Sequence, residues 1–122
     1  MPFPGPPCTT VQCCVDKAGA AHAAAIGTLM ADLAACMSEA IRDAFKDELG
    51  DAWHTAATDL LSAGNDPDAA NDIFDSLEAA NAAIGSQYQS QGGSCWEAAW
   101  SKFLSAIVTI RQDFLDCLGN LP

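Results

Sequence analysis

The sequence predicts an all-α fold, a disulfide-stapled bundle of three to four helices with an extended, proline-rich N-terminal arm. Three observations predict it. Half of the 122 residues are apolar and alanine alone is about a fifth of the chain; alanine is the best helix former. Strand formers are scarce, with few valines and threonines and a single tyrosine. Six cysteines fall at spacings that repeat along two helix-like segments. One domain is expected at this length, long enough to bury a core without staples. We divide the chain into an arm, 1–8, and a single helical-bundle domain, 9–122.

The arm holds Pro2, Pro4, Pro6 and Pro7 around Gly5. That composition favours extended backbone near polyproline II. The first helix is expected to start between Thr10 and Val15 and to run to Leu49, with Gly50 as its stop. Its larger apolar residues are Ile26, Met30, Leu33, Met37, Ile41 and Phe45. A second stripe is small: Ala20, Ala24, Gly27, Ala31 and Ala34. Small faces admit a neighbouring backbone, and two apolar faces mark a central helix.

Asp51 is expected to cap a short second helix ending at Ala63 and Gly64, with Trp53, Ala56, Ala57, Leu60 and Leu61 inward. "GNDP" then breaks the chain. Gly64 suits the position after a helix, Asp66 an N-cap and Pro67 the first helical turn. The third helix turns Ala70, Ile73, Phe74, Leu77, Ala80 and Ile84 inward. Residues 85–94 form a polar loop, helical at its start. Ser94 with Glu97 makes a capping-box pattern for the last helix. Its seam reads Trp96, Trp100, Phe103, Ile107, Ile110, Phe114 and Cys117, widened by Leu104, Val108, Leu115 and Leu118. Gly119 ends it.

The cysteines are Cys8, Cys13, Cys14, Cys36, Cys95 and Cys117. Cys14 to Cys36 and Cys95 to Cys117 are both 22 residues. On a helix, 22 steps return nearly to the starting azimuth and climb about 33 Å. Two such helices can be bolted at both ends. Antiparallel packing pairs Cys14 with Cys117 and Cys36 with Cys95; parallel packing pairs Cys14 with Cys95 and Cys36 with Cys117. Chain length favours the parallel version if the first helix runs to Leu49 and 51–84 acts as one return. Cys8 is left for Cys13 or for a second chain. Zinc ligands come in close pairs with histidine, which this spacing lacks, and no C-x-x-C redox motif is present. Neither metal nor cofactor is expected. Disulfides imply an oxidising, extracellular compartment. The start "MPFPGPP" has neither the basic nor the apolar region of a signal peptide, so secretion would require a leader removed earlier.

Sixteen acidic against five basic residues give a net charge of −11. Such a surface repels phosphate backbones, so nucleic acid is excluded as an expected partner. The longest apolar stretch, Ala18 to Met37, carries His22 and Asp32 and is mostly alanine, so it reads as a buried helix and not a membrane span. Asp43, Asp47, Glu48 and Asp51 lack the spacing of a calcium loop and read as a solvated helix end. His22 reads as packed or groove-lining, and His54 as a surface residue. No nucleophile elbow, phosphate loop or H-E-x-x-H occurs, and an enzyme is not expected.

Leu60 to Leu115 resembles the C-terminal domains of spider silk proteins in "SAGNDPDAA" and "CWEAAWSKFLSAIV", a small-residue helix, a break, and a cysteine opening an apolar helix. The other five cysteines depart from that pattern, and the likeness is an analogy of layout. The expected function is therefore non-enzymatic: a secreted structural or interaction protein that self-assembles or contacts another extracellular protein, with the arm and Cys8 reaching a neighbour. The alternative is a carrier holding a small hydrophobic ligand among Trp96, Trp100, Phe103, Phe74, Met30 and Met37.

Overall fold

The computed structural model describes residues 3–122; Met1 and Pro2 of the expected arm lie outside the described residues. Four helices follow one another: α1 (Val11–Leu33), α2 (Glu39–Ala63), α3 (Pro67–Tyr88) and α4 (Trp96–Gly119). Two short 3-10 turns, Gln89–Gln91 and Gly93–Cys95, join α3 to α4. Short connections force antiparallel neighbours. α1 packs on α2 and α4, and α3 packs on α2 and α4, which closes an up-down-up-down square. All-α architecture and the bundle agree with the sequence; no strand occurs among the described residues.

The first helix departs from expectation. It stops at Leu33, where the amides of Cys36 and Met37 both turn back to the Leu33 carbonyl at 3.0 and 2.9 Å. Ser38 then caps α2, accepting from Ile41 N at 3.4 Å, and Arg42 Nε donates to the Met37 carbonyl at 3.1 Å. Gly50 and Asp51 therefore lie inside α2, neither stop nor cap. A glycine within a helix costs about 1 kcal/mol relative to alanine, which the packing of a 25-residue helix readily offsets.

This early corner reverses the predicted bridge register. With α1 and α2 as an antiparallel pair, three direction changes bring α4 down beside α1. The bonds are Cys14–Cys117 and Cys36–Cys95, the antiparallel set, and Cys8–Cys13. Each long bridge joins α1, or the corner after it, to an end of α4. Cys8 is bonded within its own chain, so it does not reach a neighbour. The described arm also stays home: Phe3 packs against the core and Lys17 Nζ donates to the Pro6 carbonyl.

The small stripe of α1 is corrected too. Ala20, Ala24, Gly27, Ala31 and Ala34 are all exposed, and the buried face is Cys14, Val15, Ala18, His22, Ile26, Leu29, Met30 and Leu33. α1 is a corner of the square and not its centre. The α3 entry follows the sequence: Gly64 takes φ 69°, Asp66 accepts from Ala69 N at 3.1 Å, and Pro67 opens the helix. The expected Ser94 capping box is absent, because the turn Gly93–Cys95 feeds straight into α4 and Ser94 Oγ lies 3.8 Å from Cys36 Sγ instead.

Candidate functional site

Nine rings link all four helices in one continuous contact chain. Tyr88 stacks on Phe45 at 4.5 Å between centroids, and Phe45 meets Trp96 and Trp100 at 5.7 and 5.9 Å. Trp96 stacks on Trp100 at 5.0 Å and Trp100 on Phe103 at 5.2 Å. His22 links Phe103, at 6.0 Å, to Trp53, at 4.9 Å. Trp53 leads to Phe74 at 6.4 Å, and Phe74 to Phe114 at 5.7 Å. Offset and edge contacts of this kind add about 0.5–1.5 kcal/mol each beyond area burial.

Two glycines make the chain possible. A Cβ added at Gly85 would stand 2.5 Å from the Trp100 ring, and one at Gly92 would stand 2.7 Å from the Trp96 ring. Glycine is placed there because the indoles press directly on backbone.

His22 is a packed core histidine. It is buried, and its Nε2 has no hydrogen-bond partner. Burial pushes its pKa down from 6.5 to about 4. His54 is exposed on α2, as the sequence suggested. Asp43, Asp47 and Asp51 are exposed, but they lie along the body of α2 and not at a helix end. Glu48 accepts the Tyr88 hydroxyl, and that hydrogen bond pushes the phenol's pKa up.

Among the described residues, the only His/Cys/Asp/Glu group close enough to share one ion is Cys8, Cys14 and Cys117, whose Sγ atoms lie within 4.8 Å of one another. All three sulfurs are already in disulfides. The adjacency of Cys13 and Cys14 produces the cluster, since it carries two bridges into one end of the bundle.

The residues expected to line a ligand cavity do not gather around one space. Trp96, Trp100, Phe103 and Phe74 contact one another's neighbours in the ring chain, and Met30 and Met37 are buried in the core. One hollow of about 370 Å³ lies under the arm, between Phe3, Pro6 and Pro7 and the bundle end at Cys117 and Asn120, and others are open grooves along the helices. One of about 420 Å³ runs between α1 and α4 past Ala21, Ala25, Ala99, Phe103 and Ala106. Lys102 and Asp32, 3.5 Å apart, bridge its walls. Another follows α4, against α3 at Glu78 and Asn81 and then against Gln89 of the 3-10 turn. Its two stretches, about 240 and 510 Å³, meet at Leu104.

No family model, no characterised relative and no solved structure matches this chain. Function therefore has to be argued from the surface. The α3–α4 seam stands out there. Leu104 is 38% and Val108 56% exposed on a helix whose opposite face is fully packed. The sequence pattern places both in a widened core stripe, and Leu61 on the inner face of the second helix where it is instead 40% exposed, and so misses all three as surface. It also missed Asn81, which is fully buried with neither amide atom partnered and lines the same seam. Their positions in the helix repeat carried no such signal, because a stripe's width is set by its neighbours. Arg111 latches the seam at one end. It donates to the Asn71 carbonyl and to Asp75 at 2.7 Å each, pairs with Glu78 at 3.3 Å and lies 5.9 Å above the Phe74 ring.

Proposed function

We propose that this chain is a secreted, non-enzymatic interaction protein that works by contact with another protein. The three disulfides fit an oxidising compartment, and none of the described helices is long and apolar enough to cross a membrane. The observation that carries the reading is the exposed pair Leu104 and Val108 beside an open groove, on a bundle whose core is otherwise closed. Contiguous apolar surface on a rigid, charged protein marks a contact site. Covalent bolts at both ends of α1 and α4 keep that surface in shape before a partner arrives, which lowers the ordering cost of binding.

The test is chemical cross-linking of the protein in the medium of cells that make it, followed by mass spectrometry of the adducts. A defined adduct with another protein, or with a second copy, is expected. A chain that stays at 12.7 kDa under all conditions contradicts the proposal. The α1–α4 groove supports a second reading, a carrier of a small hydrophobic ligand, because its volume and alanine-and-phenylalanine walls suit one. Loading with a fluorescent fatty acid, and its loss on Ala106→Trp, would support that reading; no uptake by the wild type removes it.

A further inference from the structure

We infer that the α3–α4 seam is a docking groove for a cationic amphipathic helix of a partner protein, an inference that names the partner class for the reading above. The two stretches of groove join at Leu104, so they form one trough along the helix axes. From Glu97 to Val108 α4 rises about 17 Å, which matches three turns of a docked helix. Trp100, Leu104 and Val108 are spaced by fours, so they present one apolar edge to whatever lies in the trough. The trough follows α4, walled by α3 at Glu78 and Asn81 and by Gln89 of the 3-10 turn further along, and apolar anchors at every turn suit helix-in-groove recognition.

Charge selects the occupant. Glu97 and Glu78 both line the trough. Arg111 beside it is held by Asp75 and Glu78 and so offers little to an incoming anion. The whole molecule carries −11. A second copy laid on this face would bring its own acidic rim against the first, at a cost in like-charge repulsion. A helix with one apolar face and basic flanks covers Leu104 and Val108 and meets Glu97, and the acidic surface around it, with opposite charge, while Glu78 keeps its pairing with Arg111. Asn81 adds a second sign of an incomplete site: it lines the trough, is fully buried, and has both amide atoms unpartnered. Buried polar groups are ordinarily paired, and an exception calls for a reason.

The experiment uses the oxidised full chain and an 18-residue leucine–lysine peptide patterned as an amphipathic helix. A peptide of the same composition in scrambled order is the control. Titration calorimetry at 0.15 M salt reads affinity, and the tryptophan emission reads the site, since Trp96 and Trp100 border it. The helical isomer is expected to bind at least about tenfold more tightly than the scrambled one, and L104S/V108S to remove that preference. Both replaced side chains are exposed, and an unchanged melting temperature confirms that the variant is folded. Equal binding of the two isomers overturns the inference, because charge alone would then suffice. So does full affinity in L104S/V108S, no binding of either peptide, or a dimer at 0.15 M salt that L104S/V108S dissolves. If the peptides fail while the cross-linking experiment still yields a hetero-adduct, the interaction function stands and this groove is not its site.

Discussion

Replacing Gly85 by alanine tests the ring chain directly. The new methyl would sit 2.5 Å from Cζ2 and 2.9 Å from Cε2 and Cη2 of Trp100. Carbon atoms prefer about 3.5–4.0 Å, so the indole must retreat by about 1 Å. On its core side it has little room, because Trp96, Phe103 and Phe45 lie 5.0, 5.2 and 5.9 Å from it, centroid to centroid, and retreat the other way, into the open groove, would expose more of the ring. Overpacking of a filled core costs about 1–3 kcal/mol, and a ring hemmed in by three others belongs near the upper end. Against this, alanine gains about 1 kcal/mol over glycine inside a helix. The net expectation is a loss of about 2 kcal/mol. Gly50→Ala is the control: it is the same change inside α2, where an added Cβ meets nothing within 4 Å, and there the helix gain of up to about 1 kcal/mol should appear alone. Urea unfolding of both variants, followed by fluorescence, separates them. If Gly85→Ala proves as stabilising as Gly50→Ala, the close seating of Trp100 on α3 is wrong.

Three further outcomes follow from the same core. The folded His22 pKa, about 4, lies below its unfolded value of 6.5, so the unfolded chain takes the proton first, and stability from neutral His22 is full above pH 6.5 and lost as pH falls toward 4. The loss is roughly 3 kcal/mol, read as the difference in urea stability between wild type and His22→Phe at pH 7.5 and at pH 4; a pH-independent difference would contradict it. Asn81→Leu removes two unpartnered buried polar atoms and should raise stability by about 1–2 kcal/mol, measured by the same unfolding. Cys36→Ser with Cys95→Ser opens a ring that closes, by its shorter route through Cys14–Cys117, over about 44 residues, so the chain-entropy account expects a loss of about 4 kcal/mol, seen as a lower thermal midpoint with the helical signal retained below it.

What the sequence disclosed and what it hid have separate physical origins. Local signals were legible. Asp66 and Pro67 start α3 as their chemistry dictates, and the fours-and-threes of Phe103, Ile107, Ile110 and Phe114 place the buried seam of α4. The matched spacing of the cysteines announced two bridges between the first and last helices, one toward each end, although Cys36 lies in the corner beyond α1 and Cys95 in the 3-10 turn before α4, so neither pair sits on one continuous helix. Direction was not legible, since it depended on one corner. Ser38 caps α2, but in sequence Leu33, Met37 and Ile41 continue the four-residue apolar spacing straight across it, as one helix would. Once that corner was missed, the return path, the bridge partners and the position of the alanine stripe all changed together. Of the candidate site, the aromatic residues were visible by type, but whether they lined a space or filled one depends on three-dimensional packing. Gly85 illustrates this: in sequence it marks a loop, and in the fold it is the floor on which Trp100 rests.

The bundle's topology depends on α1 and α4 running in opposite directions, and trypsin can decide it without reduction. Cleavage after Lys17, Arg42, Lys46, Lys102 and Arg111 leaves Cys8, Cys13 and Cys14 on residues 1–17, Cys36 on 18–42, Cys95 on 47–102 and Cys117 on 112–122. Mass spectrometry of that digest should find 1–17 joined to 112–122, and 18–42 joined to 47–102. Joining of 1–17 to 47–102, and of 18–42 to 112–122, would mean parallel helices and would contradict the fold.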